Sequence, residues 1–195
     1  MRLMDDIIDL ELEKVELIIG KIAADPEDQD VRRVELELWQ KIREMAKKGR
    51  RTGLGITAEG DMLAALGLTY GTQEAIDFAV NVQRTLATAA YRASVVMASE
   101  RGKFPMYDSE KEANNPMINR LKEVDPELYE MMVKHGRRNV AMLTIAPTGT
   151  TSLMSQTTSG IEPVFRPVYK RRRKVNPNDK DVKVSYVDES GDSFE

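Results

Sequence analysis

Val140-Ala-Met-Leu-Thr-Ile-Ala-Pro-Thr-Gly-Thr-Thr-Ser152 joins two kinds of sequence, and its reading decides the fold. The first six residues, Val140 to Ile145, are a short apolar run rich in strand formers, closed by Ala146-Pro147, and they predict a buried strand. In such a strand, an Asp in place of Ile145 would put an unpaired charge in the core. Then come Pro147, Thr148, Gly149, Thr150, Thr151 and Ser152, a hydroxyl- and glycine-rich turn, followed by a short helical segment, Leu153-Met-Ser-Gln156. A strand, a turn of this kind and a helix start present backbone N–H groups at the positive end of a helix dipole, which suits a phosphate. Gly149 lets the backbone come close, and Thr148, Thr150, Thr151 and Ser152 offer hydroxyl donors. No lysine follows as a GxxxxGK[ST] loop requires, so a nucleoside-triphosphatase loop is excluded. By itself the pattern also fits an ordinary turn with a Thr cap.

Upstream of this stretch the sequence reads as helices. Leu3, Ile7, Ile8, Leu12, Val15, Ile18, Ile19 and Ile22 recur at steps of three and four, which predicts a helix with one buried face, broken at Asp25-Pro26. A second helix is predicted over about 27–48, with Val31, Val34, Leu38, Trp39, Ile42 and Met45 on its buried stripe and Gly49 as its stop, amid the basic residues Lys47, Lys48, Arg50 and Arg51. Thr72 caps a long helix over about 73–101, with Ile76, Val80, Ala87, Ala90, Ala93 and Met97 at helical spacing and Gly102 ending it. A polar connection over about 104–115 leads to one or two shorter helices, the second marked by Asp125 as cap, Pro126 at the first helical position and Gly136 after the end. Beyond Pro163, Val182-Lys-Val-Ser-Tyr-Val187 alternates polar and apolar, then a turn at Glu189-Ser-Gly-Asp192 leads to Ser-Phe-Glu, a hairpin cut short in its second strand. The division expected is 1–164, a helical and barrel segment carrying the 146–152 loop, and 165–195, a basic stretch with the hairpin.

Composition limits the function. With 41% apolar and 31% charged residues and a net charge of -3, the chain has the balance of an ordinary soluble cytoplasmic protein, with neither a membrane span nor a nucleic-acid-binding surface expected. The start MRLMDDIIDL has acids where a signal peptide needs bases. There are no cysteines, hence no disulfide, no thiolate metal site, no cysteine nucleophile and no thiyl radical.

The wider stretch from Asn139 to Pro163, ending Ser159-Gly-Ile-Glu-Pro163, closely resembles the large subunit of ribonucleotide reductases, in which this turn and a following Gly-Ile-Glu-Pro surround the substrate phosphate site. Arg2-Leu-Met-Asp-Asp-Ile-Ile-Asp9, Arg51-Thr-Gly-Leu-Gly-Ile56, Leu66-Gly-Leu-Thr-Tyr-Gly-Thr72 and Ala98-Ser-Glu-Arg-Gly-Lys-Phe-Pro105 resemble successive segments of that family in the same order. The form of the turn and the run Phe165-Arg-Pro-Val-Tyr-Lys-Arg-Arg-Arg-Lys174 look most like the adenosylcobalamin-dependent enzymes. The resemblance implies an internal piece of the catalytic subunit and, in the parent, a ten-stranded α/β barrel to which this mostly α-helical chain gives outer helices, one strand and the phosphate loop. It implies reduction of the ribose 2′-hydroxyl by cysteine radical chemistry, with adenosylcobalamin in the parent and none bound by this chain alone. The partners implied are a ribonucleoside di- or triphosphate and the rest of the reductase. A non-catalytic nucleotide-binding or regulatory module on the same scaffold, and a purely structural helical domain, are the other readings.

Other residues have modest readings. Glu162 either contacts substrate, orients the loop or fixes the turn before Pro163. His135 sits where a cation favours a helix end, and Trp39 reads as core. Arg51 and residues 53–55 predict a close-packed turn, and Lys170-Arg-Arg-Arg-Lys-Val175 predicts an exposed strand-to-loop edge.

Overall fold

The computed structural model describes every residue except Tyr169, Pro177 and Lys180, so the Tyr169 position of the 165–174 run lies outside the described residues. Two compact units result, Met1–Pro163 and Val164–Glu195. The chain is mostly helical with few strands, as expected. Among the described residues no helix is long and apolar enough to cross a membrane.

In the first unit α1 (Arg2–Ala23) packs beside α2 (Gln29–Gly49), with Glu16 of α1 reaching Arg43 of α2 at 2.9 Å. α3 (Glu59–Ala65) is a short helix that periodicity did not announce, and α4 (Gln73–Arg101) begins at the Thr72 cap and ends at Gly102. α5 (Ser109–Glu112) lies within the polar connection. α6 (Pro116–Val124) and α7 (Pro126–His135) follow, α7 capped by the Asp125 side chain accepting from Leu128 N–H and stopped at Gly136. His135 ends α7, where a cation suits the dipole. The core joins Ala90, Tyr91 and Val95 of α4, Ile118 and Leu121 of α6, Leu128 and Met132 of α7, and Met142.

Three helical stripes differ from the expectation. On α1, Ile8, Leu12, Val15 and Ile22 are buried, but Leu3 and Ile7 face outward. On α2, Val31, Val34, Leu38 and Met45 are exposed, Trp39 and Ile42 are half-buried, and the helix runs through Gly49 to a left-handed cap at Arg50. Near the start of α4, Ile76 and Val80 are exposed as well. Periodicity tells which residues share a face; whether another element covers that face depends on tertiary packing.

The 140–145 segment is the second correction. It makes a single parallel bridge, Leu54 with Leu143, rather than a full strand. Thr52 N–H donates to Ala141 O at 3.0 Å, Leu54 N–H to Met142 O at 2.7 Å, and Thr144 N–H to Leu54 O at 3.0 Å. Met142 is buried, but Ile145 is 70% exposed, so an Asp at position 145 meets solvent and belongs to the tolerated class of surface changes. A parallel strand is buried when neighbours lie on both edges and layers on both faces. Among the described residues this segment has one neighbour. The expected close packing near Gly53 and Gly55 is present, since a Cβ on Gly53 would lie 2.9 Å from Thr144 Cγ2 and one on Gly55 would collide with Thr144 O.

In the second unit β1 (Tyr186–Val187) pairs antiparallel with β2 (Ser193–Phe194) in the register Tyr186 to Phe194 and Val187 to Ser193. The predicted turn closes through Gly191 N–H to Asp188 O at 3.1 Å. Lys174 bridges to Phe194, and residues 170–174 are exposed along this edge, as expected of a solvated basic run.

Candidate phosphate-binding turn

The turn begins where the 140–145 segment leaves Leu54. Thr148 takes a left-handed conformation, φ 36°, which costs a non-glycine residue about 1–2 kcal/mol and turns the chain into α8 (Gly149–Ser155). No side chain caps α8. Gly149, Thr150 and Thr151 therefore occupy the first helical turn, where N–H groups have no partner within the helix, and all three are exposed. A Cβ at Gly149 would meet nothing within 4 Å, so the space beside it is open to a ligand.

The other hydroxyls are already engaged. Ser152, buried, donates its hydroxyl to Gly149 O at 2.8 Å, and Thr148 Oγ1 accepts from Gly160 N–H at 3.1 Å. Gly160 O in turn accepts from Glu59 N–H at 3.1 Å, and Thr158 N–H donates to Asp61 at 2.8 Å. The strained Thr148 is thus held by the Gly-Ile-Glu-Pro loop, and that loop is held by the first turn of α3. Glu162 is exposed, with its carboxylate folded toward Gly160; Pro147 is exposed at the mouth of the turn. A Cβ on Gly60 would stand 2.6 Å from Pro163 Cα, so Gly60→Ala is expected to cost about 1–3 kcal/mol of stability by forcing the loop off α3. An unchanged urea midpoint would show that the loop is not seated there.

The approach to the turn is anchored by charges that the sequence reading did not single out. Asn139, fully buried, donates from Nδ2 to Asp5 Oδ1 and to Arg50 O, both at 3.0 Å, and accepts from Ser94 Oγ at 2.9 Å. Asp5, also fully buried, takes Arg50 Nε at 2.8 Å on one oxygen and Arg138 Nε at 3.2 Å on the other. Burial alone would push the Asp5 carboxyl up, but the hydrogen bonds and charges of Arg50 and Arg138 outweigh it and hold the group below the usual carboxylate range. Arg137 clamps Glu112 at 2.6 and 2.8 Å and donates to Asn139 O at 3.1 Å. A signal for Asp5 existed in the sequence, because it sits at the same three-and-four spacing as Ile8, Leu12 and Val15. Asp5, Asp6 and Asp9 lie close enough to suggest a metal group, yet Arg50, Arg101 and Arg138 already pair with them.

The model of the ribonucleotide reductase barrel domain matches residues 30–188, most of the chain. The chain belongs to the ribonucleotide reductase barrel-domain family. This barrel-domain chain is 35% identical over 134 residues to the vitamin B12-dependent ribonucleoside-diphosphate reductase of Mycobacterium tuberculosis (strain CDC 1551 / Oshkosh), covering 68% of the chain and 16% of the relative. It is 32% identical over 127 residues to the reductase of the same name from Thermoplasma acidophilum, covering 65% and 14%, and 27% identical over 128 residues to the ribonucleoside-diphosphate reductase subunit alpha of Treponema pallidum, covering 64% and 15%. The barrel-domain chain thus spans about a sixth of the length of these curated relatives, and both the bridge at Leu143 and the turn after it fall inside the family match.

Proposed function

We propose that this chain is part of the catalytic subunit of a cytoplasmic ribonucleotide reductase, and that the turn formed by Pro147, Thr148, Gly149, Thr150, Thr151 and Ser152 binds the phosphates of its ribonucleotide substrate. The reading rests on one observation above the others: three exposed N–H positions, Gly149 to Thr151, begin a helix that no side chain caps, inside a segment matched by the barrel-domain family. An anion there would complete the unfilled cap and meet the positive end of the peptide dipoles. Thr150 and Thr151 add exposed hydroxyls, while Thr148 and Ser152 fix the shape of the turn. Glu162 acts on the loop that braces Thr148. The relatives' names favour a diphosphate substrate. The barrel of the parent, a ten-stranded α/β fold, would carry the 140–145 segment as one of its strands, and residues 1–164 and 165–195 would serve as the loop-bearing segment and the basic hairpin segment.

The vitamin B12-dependent names of two relatives support adenosylcobalamin as the radical source of the parent enzyme. The residues of this chain do not fit that group by themselves. The cavity in the first unit has about 770 Å³, the scale of a drug-sized ligand rather than of a corrin with its nucleotide tail, and the single imidazole, His135, stands at the end of α7 and does not line it. In this reading the cofactor and the reducing cysteines are held elsewhere in the reductase.

Backbone N–H groups should dominate phosphate binding, each hydroxyl adding about 0.5–1.5 kcal/mol. In the full-length reductase, Thr150→Ala is expected to raise substrate KM modestly, whereas Gly149→Val, which fills the open space beside the turn, should raise it far more. Equal and negligible changes in substrate affinity for both variants would end the assignment.

A further inference from the structure

The cavity lies between α3, the first part of α4 and α6. Its walls are mostly apolar, with Leu63, Ile76, Val80, Ala87, Leu121 and Val124 among them, and Ile76, Val80 and Val124 stay exposed. Each of the two long walls adds one guanidinium, Arg84 from α4 and Arg120 from α6. Among the described residues neither takes part in an ion pair, although many of the chain's other arginines do. The one carboxylate in the lining, Glu59, is buried, accepts from Gln83 Nε2 at 2.7 Å and pairs with neither arginine among the described residues, so the lining carries two guanidinium groups against one carboxylate.

That combination selects a ligand. Apolar walls gain by covering an apolar body, about 25 cal/mol for each Å² removed from water. Two exposed guanidinium groups in the lining, one on α4 and one on α6, against a single carboxylate favour an anion and disfavour a cation. The volume is that of a small-molecule site, which favours a compact ligand over a docked protein surface. We propose that this cavity binds a small amphiphilic anion, an apolar chain or ring system carrying one carboxylate, sulfonate or phosphate, with its body between α4 and α6 and its charge at Arg84 and Arg120.

The test is a fluorescence titration of the 195-residue chain with anilinonaphthalene sulfonate, followed by competition with decanoate and with decyltrimethylammonium. Saturable one-site binding is expected, with displacement by decanoate and not by the cation. The double variant Arg84→Met, Arg120→Met should weaken binding by about tenfold, the loss of a charged contact. Val80→Trp should abolish it by filling the groove, with the circular dichroism spectrum unchanged. Binding that does not saturate, that survives in the double arginine variant, or that the cation displaces equally well would overturn the proposal. So would a probe excluded by self-association of the chain, or by the longer reductase that contains it, since the groove would then be a packing face for polypeptide.

Discussion

Replacing Asp5 with alanine is expected to remove about 3–5 kcal/mol of folding stability, because it leaves a buried guanidinium without its main partner. Arg50 is itself buried, and in the variant its only remaining carboxylate would be Asp9, exposed, at 2.8 Å, beside the backbone carbonyl of residue 5, which accepts from Nη2 at 2.9 Å. Asn139 would lose an acceptor for Nδ2 at the same time. A loss of this size is a large share of the stability of an ordinary domain. The carboxyl of Asp5 also titrates below its ordinary value, since the Arg50 and Arg138 contacts outweigh the opposing effect of burial. With the folded value depressed below an unfolded value of about 3.9, the stability that Asp5 contributes is present above about pH 4 and is lost as pH falls through the folded value. Thermal melting of Asp5→Asn should therefore respond less to acid than melting of the parent chain. An Asp5→Ala chain with an unchanged urea midpoint would show that the node carries no stability.

The 195-residue chain alone is expected to form no deoxyribonucleotide, with or without adenosylcobalamin and a dithiol. Radical reduction of the family's kind needs a cysteine to become a thiyl, and this sequence contains none. Activity falls to nothing because a reactant is missing. Turnover above the no-enzyme control would mean that another residue of this chain carries the radical, and tight nucleotide binding by calorimetry would favour a self-sufficient nucleotide-binding module.

Helix ends were legible in the sequence because they are decided locally. Thr72 and Gly102, or Asp125, Pro126 and Gly136, satisfy or terminate backbone groups within a few residues. The resemblance carried by residues 139–163 likewise located the family. Burial was less legible. Val31, Val34, Leu38 and Met45 share a face of α2 that no described residue covers, and Ile145 ends a parallel segment with a single neighbour. Arg50 looked like one more cation in a basic run, yet its left-handed backbone turns it inward onto Asp5. α3 has no side-chain cap and is only seven residues long, too short for a periodic signal. Within the turn, residue types alone could not show that Ser152 and Thr148 spend their hydroxyls on structure while Thr150 and Thr151 face solvent. That division depends on where the loop bearing Gly160 returns, a contact across 12 residues.

The central claim is that the N–H groups at the start of α8 hold substrate phosphate. Its most direct test is an amide-resolved NMR titration of the isotopically labelled chain with a ribonucleoside diphosphate. Weak binding is predicted, because the chain spans about a sixth of the length of its curated relatives and the rest of a nucleotide site is expected from the remainder of the reductase, with the largest shifts at the amides of Gly149, Thr150 and Thr151 and smaller ones at Thr148 and Gly160. Shifts concentrated elsewhere, with those three amides unmoved at ligand concentrations that perturb the rest, would contradict it.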